Sequence, residues 1–223
     1  MPTLRLPYWA WYTLFVFGCT IVFSAWHASA WGGVNGWQTL LAFFLAVNII
    51  TCVQEICLGL RISTIERWTH DPAAWSTRPK GSMWLTPVSP RELASATFWA
   101  RLWYEYAFYD PSYADRRSFG FFVDIGNGWW TLVPSVVFLF GMTLDWMSPV
   151  ALGLLGALLF YQKLYNTSLY FVSYLFNRRY ELQPIAWVIP IVGGTNGVWL
   201  VFPAIGLWVC TRMILDGSDA LIR

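Results

Sequence analysis

Residues 37–60, WQTLLAFFLAVNIITCVQEICLGL, decide the fold class of this chain. At about 1.5 Å per residue, a helix of this length crosses the roughly 30 Å hydrocarbon core of a bilayer. Its one charged side chain, Glu55, lies inside an otherwise apolar run. A buried charge costs about 2.5–3.5 kcal/mol on insertion scales, so an intramembrane acid points first to function. The run therefore predicts a membrane helix that carries a functional carboxyl group.

Four further apolar blocks accompany this run, and a polar stretch at 61–117 separates the second block from the third. Each block is long enough to span a bilayer as a helix, and no linker separates two independent cores. The chain is therefore predicted to be an all-α membrane protein, a five-transmembrane-helix bundle forming a single membrane domain over 1–223. The predicted spans are 8–26, 37–60, 119–142, 149–176 and 185–214.

The composition agrees with a membrane protein and excludes other classes. Hydrophobic residues make up 57% of the chain and charged residues 12%, against roughly 25% charged in an average soluble domain. The net charge of +2 provides no surface for a polyanion, so no nucleic-acid partner is expected. The four cysteines, which all lie in apolar blocks, are interpreted as small buried hydrophobic residues: Cys19, Cys52, Cys57 and Cys210.

The first block has two interpretations. Arg5, the apolar run and the small residues Ala28 and Ala30 imitate a cleavable leader. The same run also fits a retained first helix, which is the interpretation that we favour.

The distribution of lysine and arginine predicts the orientation. With five spans, the N-terminus and the loops at 61–117 and 177–184 share one side, which holds eleven basic residues against two on the other side. Because basic residues concentrate in cytoplasmic loops, the N-terminus and the 61–117 loop are predicted to be cytoplasmic. The eleven are Arg5, Arg61, Arg67, Arg78, Lys80, Arg91, Arg101, Arg116, Arg117, Arg178 and Arg179.

The polar stretch contains a predicted helix. Ser89 is a typical N-cap, Pro90 fits the first helical position, and Glu92 completes a capping box. Aromatic and apolar residues follow at near-helical spacing up to Phe108, which predicts an amphipathic helix at the membrane interface between spans two and three. A packing role is favoured over a functional lid. A turn is predicted at Asp110, before the third span.

Polar residues recur on four of the predicted spans. Thr51 and Glu55 are four residues apart on the second span, and Asp124 and Asn127 are three apart on the third, so each pair shares one helix face. The fourth span contains Lys163 and the fifth contains Asn196 and Trp199. Polar groups on several helices avoid lipid only in the bundle interior, so they predict a lined pocket there.

A purely structural interpretation stays open beside the functional one. Lys163 could pair with Glu55 or Asp124 and set the helix register. Asn196 could be an interhelical hydrogen-bond clamp. The nearby glycines could serve close helix packing: Gly193, Gly194 and Gly197.

The residue types in this pocket favour proton chemistry. The sequence shows no metal-ligand spacing, no Ser/His/Asp constellation and no phosphate-binding glycine loop, so neither a metal nor a cofactor is expected. Burial disfavours an anion, so at least one of Glu55 and Asp124 is expected to hold a proton at neutral pH. Aromatic faces stabilise a cation. A proton donor, a cation cage and a proton acceptor together suit protonation of an alkene or epoxide in a hydrophobic isoprenoid or sterol.

Three motifs resemble the emopamil-binding protein family, the sterol delta-8/delta-7 isomerases of the EXPERA fold. Residues 103–113, WYEYAFYDPSY, resemble the family pattern W-x-E-Y-A-x-x-D-x-x-Y. Residues 165–171, YNTSLYF, resemble Y-x-x-x-L-Y-F in the fourth helix, and 196–203, NGVWLVFP, are similar to N-x-x-W-L-V-L-P in the fifth. The order and spacing of the motifs agree with the family from about residue 37 to residue 214.

The resemblance implies roles for individual residues. It makes Glu55 and Asp124 catalytic and Trp199 a group that stabilises a cation. The chain departs from the family at Thr51, where the family has a histidine, at the shorter acid Asp124, and at Lys163, an additional charge. The expected substrate-binding residues are Thr51, Asn127, Lys163, Tyr165, Asn196, Trp199, Tyr104, Asp110 and Tyr113.

Three functions remain open at this point. The first is an isomerase or terpenoid-type cyclase that acts on a sterol or other isoprenoid lipid by carboxyl acid–base catalysis. The second is a non-catalytic lipid-binding protein similar to the sigma-2 receptor, and the third is a structural partner of another membrane protein. The resemblance implies an endoplasmic reticulum location in a eukaryote, and a homodimer is an open alternative to a monomer.

Overall fold

Five long helices make up most of the computed structural model, which describes residues 4–71 and 82–223. Between α2 and α6 the described residues form three short α-helices, α3 to α5, and a 3₁₀ helix at Pro111–Ala114, and α8 contains a π-helical segment over Ile189–Gly194. Two-residue strands β1 (Leu6–Pro7) and β2 (Pro87–Val88) pair antiparallel. The helices are α1 (Tyr8–Trp31), α2 (Gly36–His70), α3 (Ser82–Leu85), α4 (Pro90–Leu93), α5 (Ala96–Tyr106), α6 (Phe119–Gly141), α7 (Pro149–Phe176) and α8 (Ile185–Asp216).

Four helices of the described residues are long and apolar enough to cross a membrane: α1, α2, α6 and α8. These helices confirm the prediction of an all-α membrane protein, whereas the number of five crossings stays a prediction. Helix α7 is 28 residues long, about 42 Å at 1.5 Å per residue. It falls outside the group of four because Gln162, Lys163 and Asn166 lower its hydropathy.

Helix α2 is longer than its predicted span, which ended at residue 60. Asn35 caps its start, because the side-chain oxygen accepts hydrogen bonds from the backbone N–H groups of Trp37 (2.9 Å) and Gln38 (3.0 Å). The first residues of the predicted polar loop stay helical as far as His70 because Ile62 and Ile65 continue the buried face of α2.

The capping box predicted before α4 is confirmed. The Ser89 backbone N–H donates to Glu92 Oε2 at 2.8 Å, and the Glu92 N–H donates back to Ser89 Oγ at 3.4 Å. The predicted single helix is interrupted at Ala94 and Ser95, after which α5 begins. Helix α5 packs on α2, where Trp103 Nε1 donates to the Gln54 carbonyl oxygen at 2.8 Å. Arg78 and Lys80, which entered the charge count, lie outside the described residues.

Helices α7 and α8 pack closely through small residues. A Cβ at Gly206 would lie 2.7 Å from the Phe160 ring, and a Cβ at Gly153 would lie 3.0 Å from the Cys210 carbonyl oxygen. Close helix packing, the open structural alternative for Gly193 and Gly197, is not seen at either residue, because a Cβ there meets nothing within 4 Å. The close contact between α7 and α8 therefore lies nearer the C-terminal end of α8 than Gly193 and Gly197 do.

Ion pairs close the two ends of the bundle. At one end Arg223 pairs with Asp145 at 2.7 Å, and Asn35 Nδ2 donates to the Leu221 carbonyl oxygen at 3.1 Å. At the other end Arg179 pairs with Asp110 at 3.1 Å. Helix α7 therefore connects the loop that holds Asp145 with the loop that holds Arg179.

Candidate functional site

Glu55 is buried where α2 and α6 cross. Asn127 Nδ2 donates to both carboxyl oxygens of Glu55, at 2.9 Å to Oε1 and 2.7 Å to Oε2. Gly128 permits this approach, because a Cβ there would lie 2.9 Å from both the Glu55 Cβ and the Cys52 carbonyl oxygen. Glu55 and Asn127, which lie on two predicted spans, are thus brought into direct contact.

Lys163 points from α7 into the same region and is 1% exposed. Its Nζ donates to Asn48 Oδ1 at 2.5 Å, to Thr131 Oγ1 at 2.9 Å and to Asn127 Oδ1 at 3.1 Å. An ammonium group has three donors, and each one finds a neutral oxygen acceptor here. Lys163 therefore joins three helices at a single point.

The direct ion pair that the structural interpretation expected is not formed. Among the residues that the structure describes, no ion pair joins Lys163 to Glu55 or Asp124. Asn127 lies between the charges instead, since its amide nitrogen faces Glu55 and its oxygen faces Lys163. An amide thus links a buried acid to a buried base.

Several members of this network were not predicted as site residues. Asn48 Nδ2 donates to Ser135 Oγ at 2.8 Å and to Cys52 Sγ at 3.3 Å. Thr131 Oγ1 donates to the Asn127 carbonyl oxygen at 2.7 Å. The sequence did contain a signal, because Asn127, Thr131 and Ser135 follow each other at four-residue intervals on one face of α6.

Asp124 lies in a second, more open cluster, near enough to Glu55 for the two acids to interact electrostatically. The Tyr113 hydroxyl lies beside the Asp124 carboxyl group. The Tyr113 ring packs on the Tyr106 ring, with centroids 5.3 Å apart. Asn196 Nδ2 donates to the Tyr106 hydroxyl at 2.7 Å, so Asn196 makes the interhelical hydrogen bond that the structural interpretation expected.

Trp199 lies between α8 and α2 and is partly exposed. Its Nε1 donates to Asn48 Oδ1 at 3.5 Å, and its ring meets the Phe44 ring edge-on at 6.2 Å. The two polar clusters therefore meet near Trp199, through Asn48 on one side and the neighbouring turn of α8 that holds Asn196 on the other.

Four of the expected site residues lie elsewhere. Tyr165 is 51% exposed and stacks on Tyr161, because two residues along a helix turn the side chain by about 200° from Lys163. Tyr104 packs on Trp68 of α2. The other two have partners outside the network: Asp110 pairs with Arg179, and Thr51 donates to the Val47 carbonyl oxygen within its own helix.

Two cavities within the described residues lie away from Glu55 and Asp124. One, of about 570 Å³, lies beside Glu66 and Arg116. The other, of about 510 Å³, is an apolar groove beside Tyr12, Ile50 and Trp99. Neither is lined by the five residues for which we expected a shared cavity: Glu55, Asp124, Asn127, Asn196 and Trp199.

Within residues 4–71 and 82–223, no three His, Cys, Asp or Glu side chains converge in a way that could hold a metal ion. The chemistry that the site offers is that of two carboxyl groups, one ammonium group, amides and tyrosine hydroxyls. These groups can donate, accept and hold protons and can orient a polar group of a ligand.

No protein-family model, curated protein or solved structure matches this chain. The family resemblance of the three motifs thus stays a prediction.

Proposed function

We propose that this chain is an integral-membrane isomerase or cyclase that protonates an alkene or epoxide of an isoprenoid or sterol. The supporting observation is a pair of acids, Glu55 of α2 and Asp124 of α6, of which Asp124 lies one turn before the Asn127 that donates to Glu55. A proton delivered to an alkene carbon shifts a double bond or closes a ring when another carbon then loses a proton. With an epoxide the proton goes to the oxygen, and breaking of a C–O bond forms the cation. Aromatic rings nearby, above all Trp199, suit the cation formed between these two steps.

Access from the membrane supports a lipid substrate. Asp124, Asn196 and Trp199 are partly exposed, whereas Glu55 and Lys163 are buried. A hydrophobic molecule diffusing in the bilayer would meet Asp124 and Trp199 first. We propose that the reacting carbons bind against this exposed side, with Glu55 beneath them.

The same proposal includes five membrane crossings and an EXPERA-like bundle. The contacts of Asp145 with Arg223 and of Asp110 with Arg179 lie at opposite ends of α7 and support a fifth crossing by that helix. The polar residues of α7 would then face the bundle, where Lys163 finds its three acceptors. By the excess of basic residues, the end with Arg179 is the cytoplasmic one.

A non-catalytic lipid-binding protein is the second candidate. It is favoured by the contacts of Lys163 and Asn196, which are those expected of groups that hold helices together. Such a protein would bind the same class of lipid at the same partly exposed side chains.

Product analysis tests the proposal. Membranes containing the protein are incubated with candidate sterols and prenylated compounds, and products are identified by mass spectrometry. Glu55→Gln and Asp124→Asn should each lower turnover by about 10²–10⁴-fold while ligand binding is retained, because an amide cannot transfer a proton.

Glu92→Gln is the matched control, since it makes the same exchange at an exposed carboxyl group outside the membrane helices and should keep full activity. Full activity of the Glu55→Gln/Asp124→Asn double variant would end the assignment of these two acids. Ligand binding without any product would favour the second candidate.

A further inference from the structure

The surroundings of Lys163 constrain the orientation of Asn127. Lysine can only donate hydrogen bonds, so the Asn127 atom that faces Lys163 at 3.1 Å must be the amide oxygen. The amide nitrogen of Asn127 then faces Glu55, as observed. Lys163 thereby determines which end of the amide Glu55 meets.

Glu55 is left with a partner that can only donate. Among the residues that the structure describes, the hydrogen bonds of its carboxyl group come from Asn127 Nδ2 alone, and they reach both oxygens. A protonated Glu55 would present an O–H group to this donor, whereas a carboxylate accepts from it with either oxygen. The geometry therefore suits an ionised Glu55.

Asp124 has a different kind of neighbour and is partly exposed. The Tyr113 hydroxyl beside it can donate to a carboxylate or accept from a protonated carboxyl group, whereas an amide N–H can only donate. A protonated Asp124 would therefore have a neighbouring group able to accept its hydrogen bond. It also lies outside the group of residues that Lys163 contacts.

Charge balance gives the same assignment. A low-dielectric interior disfavours net charge, and the site holds one ammonium group and two carboxyl groups. One carboxylate beside Lys163 makes the site neutral, and the second carboxyl group must then be protonated. Asn127 connects the ammonium group to Glu55, so Glu55 is the carboxyl group that ionises.

We propose that Lys163, acting through Asn127, is a positioning residue that keeps Glu55 ionised, which makes Glu55 the proton acceptor and Asp124 the proton donor. The assignment of these roles in turnover rests on the proposed function. In the reaction, the electron pair of the double bond takes the proton of Asp124 and forms a C–H bond. Glu55 then removes a proton from a neighbouring carbon, and that C–H electron pair becomes the new double bond. The proton on Glu55 returns to Asp124 before the next cycle, so the reaction needs no oxidant or reductant.

Infrared spectroscopy of the full chain without substrate tests the charge assignment. The unliganded protein should show a protonated-carboxyl C=O band that Asp124→Asn removes and Glu55→Gln leaves in place. Lys163→Gln should add a second such band, because Glu55 loses the ammonium group that balances its charge. Adding Glu55→Gln to Lys163→Gln should remove this second band.

Asn127→Asp provides a second variant that keeps the side-chain shape if Lys163→Gln fails to fold. A carboxylate at position 127 would pair directly with Lys163 and repel a charge on Glu55, so the Glu55 band should again appear. The proposal is overturned if Glu55→Gln removes the band of the unliganded protein, if that protein shows no such band, or if neither Lys163→Gln nor Asn127→Asp adds one.

These spectra require no turnover, so the two proposals fail separately. The expected bands in a protein that forms no product would keep the charge assignment and reject the enzyme. Turnover lost in Glu55→Gln and Asp124→Asn, together with contradictory spectra, would keep the enzyme and reject the role of Lys163.

Discussion

Asn127 is the residue on which the candidate site depends most. It contacts both Glu55 and Lys163, and its own carbonyl oxygen accepts from Thr131. Removing one member of a buried polar network leaves the others unsatisfied, at about 1–3 kcal/mol for each neutral group. Substitutions here therefore affect stability together with chemistry, and isosteric exchanges are the informative ones.

Trp199 yields a prediction at the same scale. Trp199→Ala should lower turnover by about 30-fold, because a desolvated cation–π contact is worth about 2 kcal/mol. Trp199→Phe should be milder, since it keeps an aromatic face and loses the hydrogen bond to Asn48. Product formation at saturating substrate measures both variants.

Trp208→Ala is the control for these variants, because Trp208 lies on the same helix, is 47% exposed and packs on Trp37 away from the acids. Equal losses in Trp199→Ala and Trp208→Ala would contradict a specific role for Trp199.

At the scale of elements, helix packing and helix capping position the parts of the chain. The contact between α7 and α8 depends on glycines at particular turns and determines where Lys163 lies. The capping box at the start of α4 determines where the loop before α5 lies.

Gly206→Ala should destabilise the protein by about 1–3 kcal/mol, because the added methyl group meets the Phe160 ring at 2.7 Å. Gly197→Ala is the matched control in the same helix, where a Cβ meets nothing within 4 Å. It should change stability by no more than about 1 kcal/mol. Thermal unfolding in detergent compares the two, and similar losses would argue against close packing at Gly206.

The capping box predicts a dependence on pH outside the membrane helices. The Ser89 backbone N–H and hydroxyl donate to Glu92, and with Arg5 they hold the pKa of Glu92 below its usual range. A pKa lowered on folding stabilises the cap above the usual pKa of glutamate and ceases to do so as the pH falls through the lowered value. The protection of the amides over residues 89–95, measured as the exchange rate relative to the intrinsic rate at each pH, should therefore fall at acid pH. Glu92→Gln should remove this dependence, and an unchanged acid response in that variant would assign it to another group.

At the scale of the whole molecule, ion pairs separate into two groups at the ends of the helices. Arg5 pairs with Glu92 and Arg179 with Asp110 at one end, and Arg223 pairs with Asp145 at the other. The Arg5–Glu92 pair is exposed, and an exposed pair contributes little to stability, about 0–1 kcal/mol. The three ion pairs show which loops lie at the same end of the helix bundle.

Five crossings place the two ends of the chain on opposite sides of the membrane, whereas four place them on the same side. A membrane-impermeant thiol reagent should label Ser95→Cys from the cytoplasmic side and Ala220→Cys from the opposite side, both positions being exposed. The unsubstituted protein is the control, because its four cysteines lie within the helices. Labelling of both variants from one side would reject the fifth crossing.

Features that depend on neighbours along the chain were predictable from the sequence. Apolar runs predicted the membrane helices, and the spacing of Ser89 and Glu92 predicted the capping box, because both patterns act over a few residues. The sequence also indicated that Glu55, Asp124, Asn127 and Lys163 lie on helix faces that avoid lipid. Helix α2 continues beyond the predicted span because Ile62 and Ile65 pack in one cluster with residues of α5, which no local pattern reveals.

Only the tertiary structure decided which polar groups meet. Hydrophobic pattern gives the face of a helix but not its rotation or height against a partner, and a shift of one residue turns a side chain by about 100°. Close contact at Gly128 brings Asn127 to Glu55, and the packing of α7 carries Lys163 inward while Tyr165 faces outward. The amide link between acid and ammonium group arises from these helix contacts.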